Sequence, residues 1–218
     1  MSNSTYDYII KKYNIIVGNQ YLIDVEGMVG SVALSKLFAE LKFNKGVEVG
    51  VDRGLFSEVL LKDNPNLHLY GVDCWISSAF PEGNPYRLQQ EYFDTCYQEA
   101  KTRLESYNCT IIKKTSMEAL ADFEDNSLDF VYIDANHDFV NFIQDIHYWY
   151  KKVKVGGIIS GHDYTYFSYK KFNHVKRAII AYARCYRMIP LFAVMYTKTG
   201  LKRDKYRSWF YVKDKDNP

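Results

Sequence analysis

The chain has 218 residues, enough for one α/β domain with a sizeable core, and we expect a single domain over 1–218. Its 28 lysine and arginine residues nearly balance 26 acidic residues, and a net charge of +2 gives no indication of nucleic acid or a membrane as the main partner. No apolar run approaches the roughly 20 residues of a membrane span, and the N-terminus lacks a signal-peptide pattern. The four cysteines are widely separated, which suits reduced thiols. We therefore expect a soluble, cytoplasmic protein.

Hydrophobic periodicity predicts alternating strands and helices after a mixed N-terminal segment. The predicted strands cover 47–51, 68–72, 110–113, 129–134, 158–161, 191–196 and 208–212, and the main helices cover 29–41, 55–62, 88–107, 138–152 and 175–186. Residues 1–45 are expected to form a helical cover over a core at 46–218. This order predicts a Rossmann-like, doubly wound and mostly parallel seven-stranded sheet with an antiparallel C-terminal hairpin.

A glycine turn follows the first predicted strand and is typical of nucleoside-binding folds. Gly50 and Gly54 allow close approach of a ligand and tight packing of the next helix, and Glu48 precedes them. Asp73, at the end of the next strand, is spaced to accept hydrogen bonds from ribose hydroxyls. Dinucleotide sites place a glycine where this turn has Asp52, and a carboxylate is a poor neighbour for a pyrophosphate. The turn therefore favours a cofactor without phosphate.

Other residues near the predicted strand ends are candidate cofactor contacts. Glu26 precedes the helix at 29–41 and could close over the cofactor or simply cap that helix. Cys74 and Trp75 follow the ribose acid, and Trp75 could lie against an adenine ring. Ser116 and Met117 are adenine contacts by position, although Ser116 also suits a helix cap. The Pro- and Gly-containing segment 76–87 is a candidate lid or a plain surface loop, and the loop 197–207 reads as a basic, solvated hairpin.

Acids and imidazoles follow two strands that should be neighbours at the switch point of the sheet. Asp134 and His137 follow the strand at 129–134, and His162 and Asp163 follow the strand at 158–161. Each residue alone has a structural explanation, such as capping a following segment. Together they predict a catalytic centre beside the cofactor.

Four segments together resemble class I S-adenosylmethionine-dependent methyltransferases. They are E-V-G-V-D-R-G at 48–54, V-D at 72–73, Y-I-D-A-N-H-D-F at 132–139 and V-G-G-I-I-S-G-H-D-Y at 155–164. The last two resemble the small-molecule group that includes macrocin-type sugar O-methyltransferases and cephalosporin-hydroxylase-like proteins. The resemblance spans roughly residues 26–164. It implies methyl transfer from S-adenosylmethionine to a hydroxyl of a sugar, glycan or small hydroxylated metabolite.

The resemblance also implies roles for the residues at the strand ends. His137 corresponds to the general base, because an imidazole can take a hydroxyl proton at neutral pH. The relatives hold a divalent cation between the acid at Asp134 and two acids at the next strand end. Here Asp163 is present but His162 replaces the other acid, and Mg²⁺ seldom binds imidazole. The cation therefore stays open, and Asp134 and Asp163 could instead orient His137 or bind the acceptor.

Three other functions are alternatives to methyl transfer to a hydroxyl group. Amino-methylating enzymes of nucleic acids need an Asn/Asp-Pro-Pro-aromatic segment where this chain has D-A-N-H at 134–137. An NAD-dependent oxidoreductase would require the missing middle glycine of the turn. A non-catalytic nucleoside-binding protein stays open, as does a homo-oligomer, whereas nucleic-acid and membrane partners are not expected.

Overall fold

The computed structural model describes residues 4–79, 89–168, 172–196 and 206–215. The helices are α1 (Ser4–Lys12), α2 (Ser31–Glu40), α3 (Leu55–Asp63), α4 (Gln90–Leu104), α5 (Ser116–Ala119), α6 (Phe139–Lys152) and α7 (Val175–Tyr186). The strands are β1 (Leu22–Val29), β2 (Lys45–Val49), β3 (His68–Asp73), β4 (Cys109–Lys113), β5 (Leu128–Ile133), β6 (Val153–Gly161), β7 (Leu191–Met195) and β8 (Trp209–Val212). No described helix is long and apolar enough to cross a membrane.

The strands form one eight-stranded sheet in the order β1-β7-β8-β6-β5-β2-β3-β4. Within the described residues β8 runs antiparallel to both of its neighbours, and the other pairings are parallel. The strand order reverses between β2 and β5, where a crevice forms at the carboxyl ends of the strands. The Rossmann-like fold and its antiparallel C-terminal hairpin are thereby confirmed, with eight strands instead of seven.

The additional strand is β1, which corrects the prediction of a wholly helical cover over residues 1–45. β1 pairs in parallel with β7, and its register shifts between Val25 and Val29. Gly27 has a φ of 81° within this irregular segment. Val25 and Met28 are both buried, so the two-residue alternation that marks a strand is broken. Local hydrophobic periodicity therefore does not predict β1.

The two faces of the sheet carry separate apolar layers, because neighbouring residues of a strand point to opposite faces. On β5, Phe130 and Tyr132 belong to the layer beneath α2, α3 and α4, and Val131 and Ile133 belong to the layer beneath α6 and α7. All six residues of β5 are buried. A strand covered on both faces reads as a continuous apolar run, which is why the sequence predicts it clearly.

Candidate active site

A cavity of about 430 Å³ opens at the carboxyl ends of the central strands. Its walls come from the turn after β2, the end of β3, the start of α4, the start of α5, the segment after β5 and the first half of α6. From the predicted set, the cavity is lined by Gly50, Asp73, Cys74, Trp75, Ser116, Met117, Asp134 and His137. The structure therefore brings most of the candidate residues together around one concave site, in the place expected for a doubly wound sheet.

The glycine turn is tied to the end of β3 through Asp73. Its Oδ2 accepts hydrogen bonds from the backbone N–H groups of Val51 and Asp52, both at 3.0 Å. Its Oδ1 accepts from the backbone N–H of Trp75 at 2.9 Å. A carboxylate has about four acceptor positions, so Asp73 keeps capacity for one further donor. Asp73 therefore organises the turn and still faces the cavity.

Trp75 anchors the same turn from the other side. Its Nε1 donates to the backbone carbonyl of Asp52 at 2.8 Å, and its ring packs against Tyr97 with centroids 4.9 Å apart. The side chain is 1 % exposed. The ring thus has a packing role, and only part of it borders the cavity.

Ser116 is not the cap of α5, which corrects that alternative. Thr115 caps this helix in a capping box with Glu118. The Ser116 hydroxyl donates to Oδ1 of Asp145 and accepts from Nε1 of Trp149 at 2.8 Å. Ser116 therefore links α5 to α6, and its proton is used inside the protein.

Acids and imidazoles converge at the other end of the cavity. The Nε2 of His137 lies 3.0 Å from Oδ2 of Asp163 and 3.6 Å from Oδ1 of Asp134. The Nδ1 of His162 lies 3.3 Å from Oδ1 of Asp163 and 3.7 Å from Oδ1 of Asp134. Asn173 donates to Oδ2 of Asp163 at 2.9 Å. The side chains after β5 and β6 therefore lie close together, as predicted.

The backbone holds this cluster in place. Asp138 caps α6 by accepting from the N–H groups of Val140 and Asn141 at 3.0 and 3.1 Å, so a rigid helix begins directly after His137. The backbone N–H of His174, just before α7, donates to the carbonyl of His137 at 2.7 Å. His137 is therefore supported from two helices.

Charge dominates the protonation of this cluster. Burial by itself would lower the pKa of His137, but the hydrogen bonds and charges of Asp134 and Asp163 outweigh it and raise that pKa to about 10. Burial likewise acts to raise the pKa of Asp163, but the two imidazoles hold it well below its usual range. Positive charge placed beside these groups, such as a cation on the carboxylates, would lower the pKa of His137 again.

Three side chains of the cluster could hold a metal ion. One ligand atom each from Asp134, His162 and Asp163 lie within 4.8 Å of one another. The donor set therefore has two carboxylate oxygens and one imidazole nitrogen. That set suits Mn²⁺, Fe²⁺ or Zn²⁺ better than Mg²⁺, which prefers an oxygen shell.

Four predicted site residues do not line the cavity. Glu26 lies exposed on β1, four strands from β5 in the sheet, and so it is not at a helix entrance beside the cofactor. Glu48 is buried and accepts from the hydroxyl of Ser57, which joins β2 to α3. Gly54 begins α3 with a φ of 73°, and a Cβ there would lie 3.1 Å from Leu104. Asp163 reaches the site only through its contacts with the imidazoles.

Several lining residues were missed by the sequence reasoning. They include Tyr92, Phe93, Asn136, Asn141, Gln144 and Asp145. For Asp145 a signal existed, because it shares the buried face of α6 with Phe142, Ile146 and Trp149. A carboxylate in an otherwise apolar helical stripe is unusual enough to mark a functional position. Asn136 lies in the segment after β5, and the remaining four lie on faces of α4 or α6 that sequence alone does not orient toward the cavity.

The predicted lid lies mostly outside the described residues. Ser77–Ala79 forms one 3₁₀ turn at the cavity edge, and Asn136 donates to the carbonyl of Ala79 at 3.2 Å. Residues 80–88 are not described, and neither are residues 197–205 of the predicted basic loop. The functions expected for these two segments stay predictions.

The chain belongs to a methyltransferase family. Residues 47–164, more than half of the chain, match the family model described as "Methyltransferase domain". This match confirms the predicted resemblance to class I methyltransferases and argues against the oxidoreductase alternative. A comparison with curated protein sequences gives no match.

Solved structures confirm the same fold. The O-methyltransferase from Bacillus cereus, in complex with SAH, shares 14% identity with a TM-score of 0.57, covering 98% of this chain and 92% of that one. The O-methyltransferase TomG from Streptomyces achromogenes, in complex with SAM, shares 13% identity with a TM-score of 0.57 over 97% and 89% of the two chains. Spermidine synthase from Thermotoga maritima shares 13% identity, with a TM-score of 0.54 over 84% and 60%. Because a spermidine synthase shares this fold, the acceptor must be argued from the site.

Proposed function

We propose that this protein is an S-adenosylmethionine-dependent O-methyltransferase acting on a hydroxyl of a sugar, a glycan or a small hydroxylated metabolite. The observation that carries the proposal is His137, held between two carboxylates at the end of a cavity suited to a nucleoside cofactor. The similarity to two O-methyltransferases with SAM or SAH bound supports it. The sugar acceptor rests on the resemblance of the 132–139 and 155–164 segments.

The cavity suits this cofactor for two reasons. Asp52 lines the cavity at the turn where a dinucleotide would place its pyrophosphate, and its carboxylate would repel a phosphate group there. Asp73 has acceptor capacity left for a ribose hydroxyl after its three backbone bonds. When bound, S-adenosylmethionine supplies a methyl group on a positively charged sulfur.

His137 is the proposed general base for the acceptor hydroxyl. It lines the cavity, and its position is set by the Asp138 cap and by the contact with His174. Proton acceptance by His137 requires that its two carboxylate partners do not hold the imidazole protonated. The positive charges of the cofactor and of a cation on those carboxylates both act in that direction. General base catalysis of this kind typically contributes about 10²- to 10⁴-fold.

We further propose that Asp134, His162 and Asp163 would hold a divalent cation, which would supply a positive charge beside the acceptor oxygen. Their ligand atoms are close enough, and the imidazole favours Mn²⁺ or another transition metal over Mg²⁺. Without a cation, the two carboxylates would instead orient His137 or accept a hydrogen bond from the acceptor.

Calorimetric titration with S-adenosylmethionine, S-adenosylhomocysteine and NAD⁺ tests the cofactor assignment. We expect micromolar binding of the first two and none of NAD⁺. Transfer of a labelled methyl group to a panel of sugars, phenols and amines, with Mn²⁺ or Mg²⁺ added, then tests the acceptor class. Labelling of amines alone would contradict the O-methyltransferase proposal, and cofactor binding without any transfer would favour a nucleoside-binding protein.

A further inference from the structure

Asp145 is a buried acid at the end of the cavity away from His137. It lies on the inner face of α6, is 3 % exposed and lines the cavity together with Ser116 and Met117. Neither the base nor the charged cluster contacts it. Burying an ionisable group this deeply in an apolar layer reduces the stability of the fold. Its presence therefore indicates a function for the carboxyl group.

Its two oxygens have different surroundings. Oδ1 accepts a hydrogen bond from the hydroxyl group of Ser116, and that hydroxyl group accepts a hydrogen bond from Nε1 of Trp149. Oδ2 has no hydrogen-bond partner among the described residues. The chain of bonds from Trp149 through Ser116 therefore fixes the carboxylate from behind and leaves one oxygen for a ligand in the cavity. Because the Ser116 hydroxyl group already donates to Asp145, the carboxylate of Asp145 is more available to a ligand than that hydroxyl group.

The position of this end identifies the part of the ligand that reaches it. The methyl group must lie near His137 for transfer, and the ribose lies near Asp73 at the end of the adjacent strand β3. A nucleoside extending from His137 past Asp73 places its base beside Met117 and Asp145. Met117 and Cys74 supply soft, apolar contacts to a ring there, and Asp145 supplies a hydrogen-bond acceptor.

We propose that Asp145 is the specificity residue for the cofactor base, with Oδ2 accepting a hydrogen bond from the 6-amino group of adenine. The inference rests on the proposed S-adenosylmethionine site and names the residue that reads the base. A base with a carbonyl oxygen at C6, such as hypoxanthine, brings an acceptor against this acceptor. At pH 8 this carboxyl group is ionised, and a hydrogen bond to the charged form is expected to favour the adenine ligand by about 10- to 100-fold in affinity.

The test compares S-adenosylhomocysteine with S-inosylhomocysteine by calorimetry at pH 8, using the full chain and its Asp145→Asn variant. In the variant, the amide oxygen takes the Ser116 proton and the amide nitrogen faces the cavity, where it donates to a C6 carbonyl. We expect the parent to prefer the adenosyl ligand by about 10- to 100-fold, and the variant to lose or reverse that preference. Asp125→Asn, the same change at an exposed acid, should keep the parent's ratio.

The outcomes separate the two proposals. Equal binding of both ligands by the parent overturns the role of Asp145 without any variant and leaves the cofactor site standing. Equal weakening of both ligands in Asp145→Asn also overturns it, because a purely structural carboxylate would not change the ratio. Binding of neither ligand by the parent overturns the cofactor assignment and this inference together.

Discussion

Gly50 lies so close to the backbone of Asp134 that a Cβ at position 50 would come within 2.2 Å of the Asp134 carbonyl oxygen. This approach joins the turn after β2 to the end of β5, with Asp134 N–H donating to the carbonyl of Val49 at 2.7 Å. The glycine turn therefore positions the first acid of the catalytic cluster. A motif predicted to approach a ligand is equally required for two strand ends to approach each other.

Gly50→Ala should disrupt this junction. The new methyl group overlaps backbone atoms and the φ of 94° strains any L-residue, so we expect a loss of about 2 to 5 kcal/mol in stability and loss of cofactor binding. Thermal unfolding and calorimetry measure both. Gly27→Ala is the matched control, because its φ is 81° but nothing lies within 4 Å of the added Cβ. Equal losses in the two variants would show that strain alone matters and that the close approach does not.

His137→Gln should reduce turnover by about 10²- to 10⁴-fold while leaving S-adenosylhomocysteine binding nearly unchanged, because the amide cannot take the hydroxyl proton. Single-turnover methyl transfer at saturating cofactor measures the chemical step. His147→Gln is the control, since that imidazole pairs with Tyr182 at 3.0 Å and does not line the cavity. Turnover within a few-fold of the parent in His137→Gln would contradict the assignment of the base.

Removal of divalent cations by a chelator should abolish methyl transfer, and Mn²⁺ should restore it better than Mg²⁺. The reason is the imidazole of His162 in the donor set. His162→Asp replaces that nitrogen by oxygen and should shift the preference toward Mg²⁺. If turnover is unaffected by the chelator, Asp134 and Asp163 act without a cation, by orienting His137 or by binding the acceptor.

Asp145 should make the stability of the ligand-free protein depend on pH. Burial raises the pKa of Asp145 to about 7, despite the hydrogen bond from Ser116, which lowers it. The unfolded chain loses this proton near pH 4, so between about pH 4 and 7 the folded state holds more protons. The free energy of unfolding therefore falls as pH rises through this window, by up to about 4 kcal/mol.

Asp145→Asn removes this dependence. The variant should be more stable than the parent at pH 8 and close to it at pH 4, as measured by denaturant unfolding without cofactor. Asp125→Asn, an exposed acid paired with Lys152, serves as the control. A constant difference between Asp145→Asn and the parent at the two pH values would show that the folded protein does not raise the pKa of this acid.

Most of the fold can be predicted from local sequence patterns. Continuous apolar runs such as β5, glycine turns such as that at Gly50 and a periodic helix such as α7 carry their structure in local patterns. The sequence also located His137 and Asp134, because residues directly after central strands must lie at the active edge of such a sheet.

Strands and polar contacts that depend on partners far along the chain follow only from the tertiary structure. β1 is a strand because β7, far along the chain, pairs with it, and its irregular register hides it from any local pattern. The same packing puts Glu26 on a strand far from the cavity. It also brings the Ser116 hydroxyl group into a hydrogen bond with Asp145, which lines the cavity. Local periodicity reports which face of an element is buried, whereas only the packing of helix against sheet decides what each buried polar group meets.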